Sequence, residues 1–143
     1  MQLNPVAGLL ALAGAILMPV SLSLDWYTVN TGDSTFVLKG WDVFELVDAL
    51  MVLVAGAVLL LFVARPPYLG RALMVLGAFI GGVIVVQLID RPSLLYFAGD
   101  TSIEIGAWLG LLGSALLVAA GALSRAFGPR TAPDPGGAGS PLA

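Results

Sequence analysis

Four stretches of this chain carry no charged residue: 1–24, 49–64, 72–89 and 105–124. A hydrocarbon core of ~30 Å needs ~20 apolar residues of helix, with ~17 the practical minimum. Three of the four stretches meet that length. The second, at 16 residues, falls short and must draw on the residues before it to span. Those residues are Trp41-Asp42-Val43-Phe44-Glu45-Leu46-Val47-Asp48, with carboxylates at i, i+3 and i+6. Acid is pushed toward lipid there, so this is the stretch a functional reading has to explain. Only 10% of the residues are charged, against ~25% in a soluble domain. The expected fold class is therefore an all-α membrane protein, a bundle of four transmembrane helices.

Local signals place the elements. Asn4-Pro5 reads as an N-cap followed by a first-turn proline, which opens a helix over about 4–24 with Pro19 as a kink. This segment lacks the basic start of a cleaved signal peptide and is longer than the usual apolar region of one, so it is expected to be retained. Trp26-Tyr27-Thr28-Val29 and Ser34-Thr35-Phe36-Val37-Leu38 are β-branched and aromatic, and Asn30-Thr31-Gly32-Asp33 between them supplies turn chemistry. They predict a short β-hairpin in the first outer loop. A lone hairpin is marginal in water, so it should lie on the membrane surface or against a partner. Further helices are expected over about 42–64, 70–89 and 104–124. Ser93–Phe97 reads as an interfacial turn, and Thr101-x-x-Glu104 as a capping box for the fourth helix. The Pro/Gly/Ala-rich tail, 125–143, is expected to be disordered.

The basic residues orient the chain. Arg65 and Arg71 share a short turn with Arg125 and Arg130 on the same side, whereas the other side holds Lys39 and Arg91 with eight of the nine acids. Lys and Arg in short loops favour the cytoplasm. A multi-pass protein of the cell membrane with both termini cytoplasmic is the expectation, its β-hairpin extracytoplasmic. The spacing Asp25…Gly40-Trp41 and Asp90…Gly106-x-Trp108 also suggests a weak internal repeat, although Trp and acids gather at any membrane interface.

The acidic stretch is the main candidate site. On a continuous helix, residues 42, 45 and 48 would sweep a ~120° arc and climb ~9 Å. With Trp41 at the interface, Asp48 would sit below the headgroups, where a charge is costly unless paired, protonated or wetted. One reading is a cation- or proton-attracting vestibule of Asp48, Glu45, Asp42, Gln87 and Asp90, with Arg91 as counter-ion. The other is that acids favour a helix N-terminus through its unpaired N–H groups. Both stay open at this point. Trp26, Trp41 and Trp108 are candidate interface anchors. Gly77-x-x-x-Gly81, Gly106-x-x-x-Gly110 and Ala7-x-x-x-Ala11-x-x-x-Ala15 are small-residue packing faces, suited to a tight bundle or to an oligomer.

With no Cys and no His, thiolate chemistry and the usual metal and haem ligands are excluded by inventory, and neither a metal nor a cofactor is expected. A net charge of −3 without a basic cluster excludes nucleic acid. No His or buried Lys stands ready to activate Ser21, Ser23, Ser114 or Ser124 as a nucleophile, so an enzyme is not expected.

Two outer Trp residues around a β-like loop, a short inner turn and a last span beginning Gly106-x-Trp108-Leu109 resemble small four-helix bacterial integral membrane proteins of unassigned function. The layout is also similar to that of claudin-type proteins, although the loop cysteines of that family are missing. The resemblance implies a topology and a habit of lateral assembly. Two functions follow as expectations. The first is a non-enzymatic protein that assembles laterally, as a homo-oligomer or an accessory subunit of a membrane-protein partner, through its outer loops and small-residue faces. The second is an oligomeric cation or proton pathway with an acidic outer vestibule.

Overall fold

The computed structural model describes residues 4–43, 46–90 and 100–127. Glu45, Arg91, the Ser93–Phe97 turn and the tail beyond 127 therefore lie outside the described residues. The elements run α1 (Pro5–Leu22), β1 (Asp25–Asn30), β2 (Thr35–Lys39), α2 (Gly40–Val43), α3 (Val47–Ala64), α4 (Leu69–Ile89), β3 (Asp100–Ile103) and α5 (Ile105–Ala126).

Among the described residues, four helices, α1, α3, α4 and α5, are long and apolar enough to cross a membrane. Their outer faces are as apolar as their inner ones. Leu9, Leu53, Leu60 and Val63 are exposed, Val63 to 82%, an arrangement that water would penalise and lipid would not. At one end of the bundle sits the sheet, at the other the turn between α3 and α4. We call these the sheet end and the turn end.

α1 opens as capping chemistry dictates. Asn4 Oδ1 accepts the Val6 N–H at 3.0 Å, and Pro5 holds the first helical position. The helix continues through Pro19 to Leu22. α5 is the hub of the bundle, packed along both α1 and α4; α1 also meets α3, and α3 and α4, consecutive in sequence, touch less than any of these pairs. Backbone approach at glycine makes the two tight seams. A Cβ on Gly14 would lie 2.7 Å from the Gly113 carbonyl oxygen, and one on Gly77 2.8 Å from that of Ser114. Without a hydrophobic drive between helices in lipid, such close van der Waals contact is what holds spans together.

The hairpin is present, closed by a turn in which Gly32 takes φ +87° and Asn30 Oδ1 accepts the Gly32 N–H. It does not stand alone. β3 pairs antiparallel with β1, Val29 opposite Thr101 and Asn30 opposite Asp100, giving a three-stranded sheet ordered β2-β1-β3. The support that a marginal hairpin needs is the chain's own second loop. Strand pairing also corrects the expected capping box. Thr101 and Ser102 lie in β3, and Glu104 is the residue before α5 with no side-chain cap. The Ser102 hydroxyl donates to its carboxylate at 2.8 Å, and its N–H donates to the Trp26 carbonyl at 2.9 Å.

The expected helix over 42–64 is two helices. α2 is described over Gly40–Val43, Leu46 is a bend, and α3 opens at Val47. The anchor of α2 is Gly40, buried where a Cβ would meet the Leu22 backbone at 2.9 Å. Starting at Val47, α3 reaches 18 residues, which satisfies the ~17-residue minimum for a span.

Candidate functional site

The sheet end is assembled around two consecutive aromatic residues. Trp26 and Tyr27 are both fully buried, which strict alternation along a strand would forbid. The pairing of β1 with β2 shifts register between Asp25 and Tyr27, and such a bulge re-aims one side chain. The Trp26 indole N–H donates to the Ser21 carbonyl of α1 at 2.7 Å. Its ring lies against α5, where a Cβ on Gly106 would find the Asp25 and Ser21 carbonyl oxygens at 2.7 and 2.9 Å. The Tyr27 hydroxyl donates to the Gln87 carbonyl of α4 at 3.3 Å. One strand thereby ties α1, α4 and α5 together. Trp26, expected as an interface anchor, is instead the centre of this junction because its N–H finds a buried carbonyl and its ring a glycine-lined slot. Trp41 and Trp108 are exposed, the latter to 59%, and the Trp41 indole N–H reaches the Ser23 hydroxyl at 3.4 Å.

The acids do not share a helix. Asp42 belongs to α2, where its carboxylate accepts the Lys39 N–H at 3.2 Å, half of a reciprocal cap. Asp48 is in the first turn of α3, and its carboxylate accepts the Ala49 N–H at 2.6 Å, one of the donors a helix start leaves unpaired. The arc over residues 42, 45 and 48 required one continuous helix, and the separate elements α2 and α3 remove it. Asp48 accordingly stands at the rim of its span and not one turn or more inside it. Asp90 ends α4, exposed, with its backbone N–H on the Val86 carbonyl at 2.7 Å. Gln87 contributes its backbone carbonyl to Tyr27. Glu45 and Arg91 lie outside the described residues. Among the described residues, no three acidic side chains converge where a metal ion would be held.

The small-residue faces turn inward. Ala7, Ala11 and Ala15 are buried in the bundle core. Gly77 and Gly81 pack on Ser114 of α5, and Gly106 and Gly110 on Trp26 and Ser21. These positions are consumed by the fold of a single chain.

Of the two edge strands at the sheet end, β2 and β3, β2 is the more exposed. Its residues are exposed except for Leu38, and it shows Phe36 and Val37 at 55% and 51%. The residues that sequence reasoning missed here are Ser21, Tyr27 and the strand Asp100–Ile103. The β-branched alternation in Thr101-Ser102-Ile103 was the one signal that pointed to the last. Comparison with protein-family models, with curated proteins and with solved structures finds no match to this chain.

Proposed function

We propose that this chain is a non-enzymatic integral protein of the cell membrane, of the small four-helix bacterial kind. In this reading both termini are cytoplasmic, and the chain works by lateral contact through its extracytoplasmic sheet with a second copy or a larger membrane protein. The observation that carries the reading is the β2 edge. A strand edge with unpaired backbone groups and flanking apolar side chains is a template for another chain, and nothing among the described residues pairs with its outer side. The small-residue faces play no part in the contact, being internal. The claudin-like layout supports only a shared arrangement of helices and loop sheet, and barrier formation is not part of the proposal.

The test is site-specific photo-crosslinking in native membranes. A probe at Phe36 or Val37 is expected to give one discrete adduct, either a homodimer or a single larger species, and a probe at Val63 on the outer face of α3 is expected to give none. Phe36→Asp with Val37→Asp should abolish an adduct captured from Thr35. Diffuse or absent adducts at β2 in a folded protein would overturn the reading.

A further inference from the structure

The seam between α3 and α4 is loosely closed, and toward the turn end it opens into a groove of about 550 Å³. That volume lies within the ~300–1,000 Å³ of sites that hold small organic molecules. Its lining includes Ala57, Leu61 and Ala64 of α3 with Tyr68, Ala72 and Val75. The alanines leave the gap, since larger side chains there would fill it. The walls are apolar, and the phenol of Tyr68, at the start of α4, is exposed.

Among the described residues, the charge at the turn end has one sign. Arg65 directly follows lining residue Ala64, and Arg71 directly precedes lining residue Ala72. Arg125 stands at the same end, its guanidinium near the Met74 sulfur. Every described acid belongs to the sheet end: Asp25, Asp33, Asp42, Asp48, Asp90, Asp100 and Glu104. Two of the arginines occupy positions that helix-end physics disfavours. Arg65 ends α3 in the left-handed region, φ +47° and ψ +51°, where glycine is the usual residue. Arg71 lies in the first turn of α4, where the helix dipole opposes a cation. Arg65 puts a long side chain where glycine is usual, and Arg71 sets its charge against the α4 dipole, which is a reason to look for what they meet.

The geometry points to one bound anionic phospholipid per chain, with an acyl chain in the α3–α4 groove and its phosphate on Arg65 and Arg71. Basic pockets between transmembrane helices recognise anionic headgroups in this way. The inference rests on insertion of the four helices and not on the sheet contact proposed above, so each can fail without the other.

Native mass spectrometry of the detergent-purified full chain tests it, with phosphatidylglycerol and phosphatidylcholine of matched acyl chains as probes. One phosphatidylglycerol should be retained, in preference to phosphatidylcholine by roughly thirtyfold, as expected for two cations near one headgroup. Arg65→Gly with Arg71→Gln should erase that preference while the glycine keeps the end of α3 intact. Ala72→Phe, which leaves both charges and fills the groove, should lose the retained lipid whatever its headgroup. Equal retention of both lipids, or retention undiminished in a folded Ala72→Phe protein, would overturn the inference. So would a self-associated species that Ala72→Phe dissociates, since the groove would then hold a second copy.

Discussion

Gly106 has no room for a methyl group. The atoms a Cβ would meet include two backbone carbonyl oxygens, of Asp25 and Ser21, which cannot rotate away. Gly106→Ala is expected to destabilise by about 1–3 kcal/mol, the usual cost of overpacking, read as a lower midpoint of thermal unfolding in detergent. Gly82→Ala is the control, because open space surrounds that position and alanine is the better helix former by ~1 kcal/mol. Glu104 makes a second, pH-dependent prediction. The Ser102 hydroxyl, with that of Thr28, holds its carboxyl below the ordinary glutamate value. A carboxyl lowered on folding contributes stability above its unfolded pKa and loses it as pH falls through the folded one. The unfolding midpoint of the wild type should therefore fall more on acidification through the carboxylate range than that of Glu104→Gln, and equal falls would remove this role from Glu104.

Among the elements, α3 supports the helix-end expectation for Asp48. Beginning at Val47, it makes Asp48 a first-turn acid that accepts an otherwise unpaired N–H. Asp48→Asn should then cost about 0.3–1 kcal/mol, the usual worth of a charge at a helix end, and leave transport unchanged. Purified protein in liposomes is expected to show no cation or proton flux, with or without the substitution. Flux in the wild type that Asp48→Asn abolishes would instead make Asp48 part of a pathway. The start of α1 and the hairpin were legible because Asn-Pro capping and a glycine turn act over two to four residues. The break between α2 and α3 was not, since the close packing of Gly40 under Leu22 depends on a helix eighteen residues earlier.

For the molecule as a whole, charge is segregated by end, with the described acids near the sheet and Arg65, Arg71 and Arg125 opposite. Basic residues in short connections favour the cytoplasm, so the turn end is expected to face inward. The chain has no cysteine, which makes single-cysteine reporters clean. On intact cells, an impermeant thiol reagent should label Asp33→Cys and not Pro67→Cys. The inverse pattern would reverse the orientation, and labelling of both would refute four crossings. That the small-residue faces are spent inside one chain is also a property of this scale. Their spacing announced close packing, but only the bundle shows which helices the packing joins.

The amino-acid order alone determined four helices long and apolar enough to cross a membrane, the cap that opens the first, the hairpin and the sorting of charge to two ends. Each is set by neighbours in sequence, through hydropathy, turn chemistry and helix-end donors. Tertiary structure decided that Trp26 is a buried pin, that a third strand completes the sheet, that α5 is the hub and that α3 and α4 meet only along a loose seam. Where inner and outer helix faces are alike in apolarity, hydropathy carries no record of which neighbour a face meets. Only the three-dimensional fit of glycine, indole and carbonyl does.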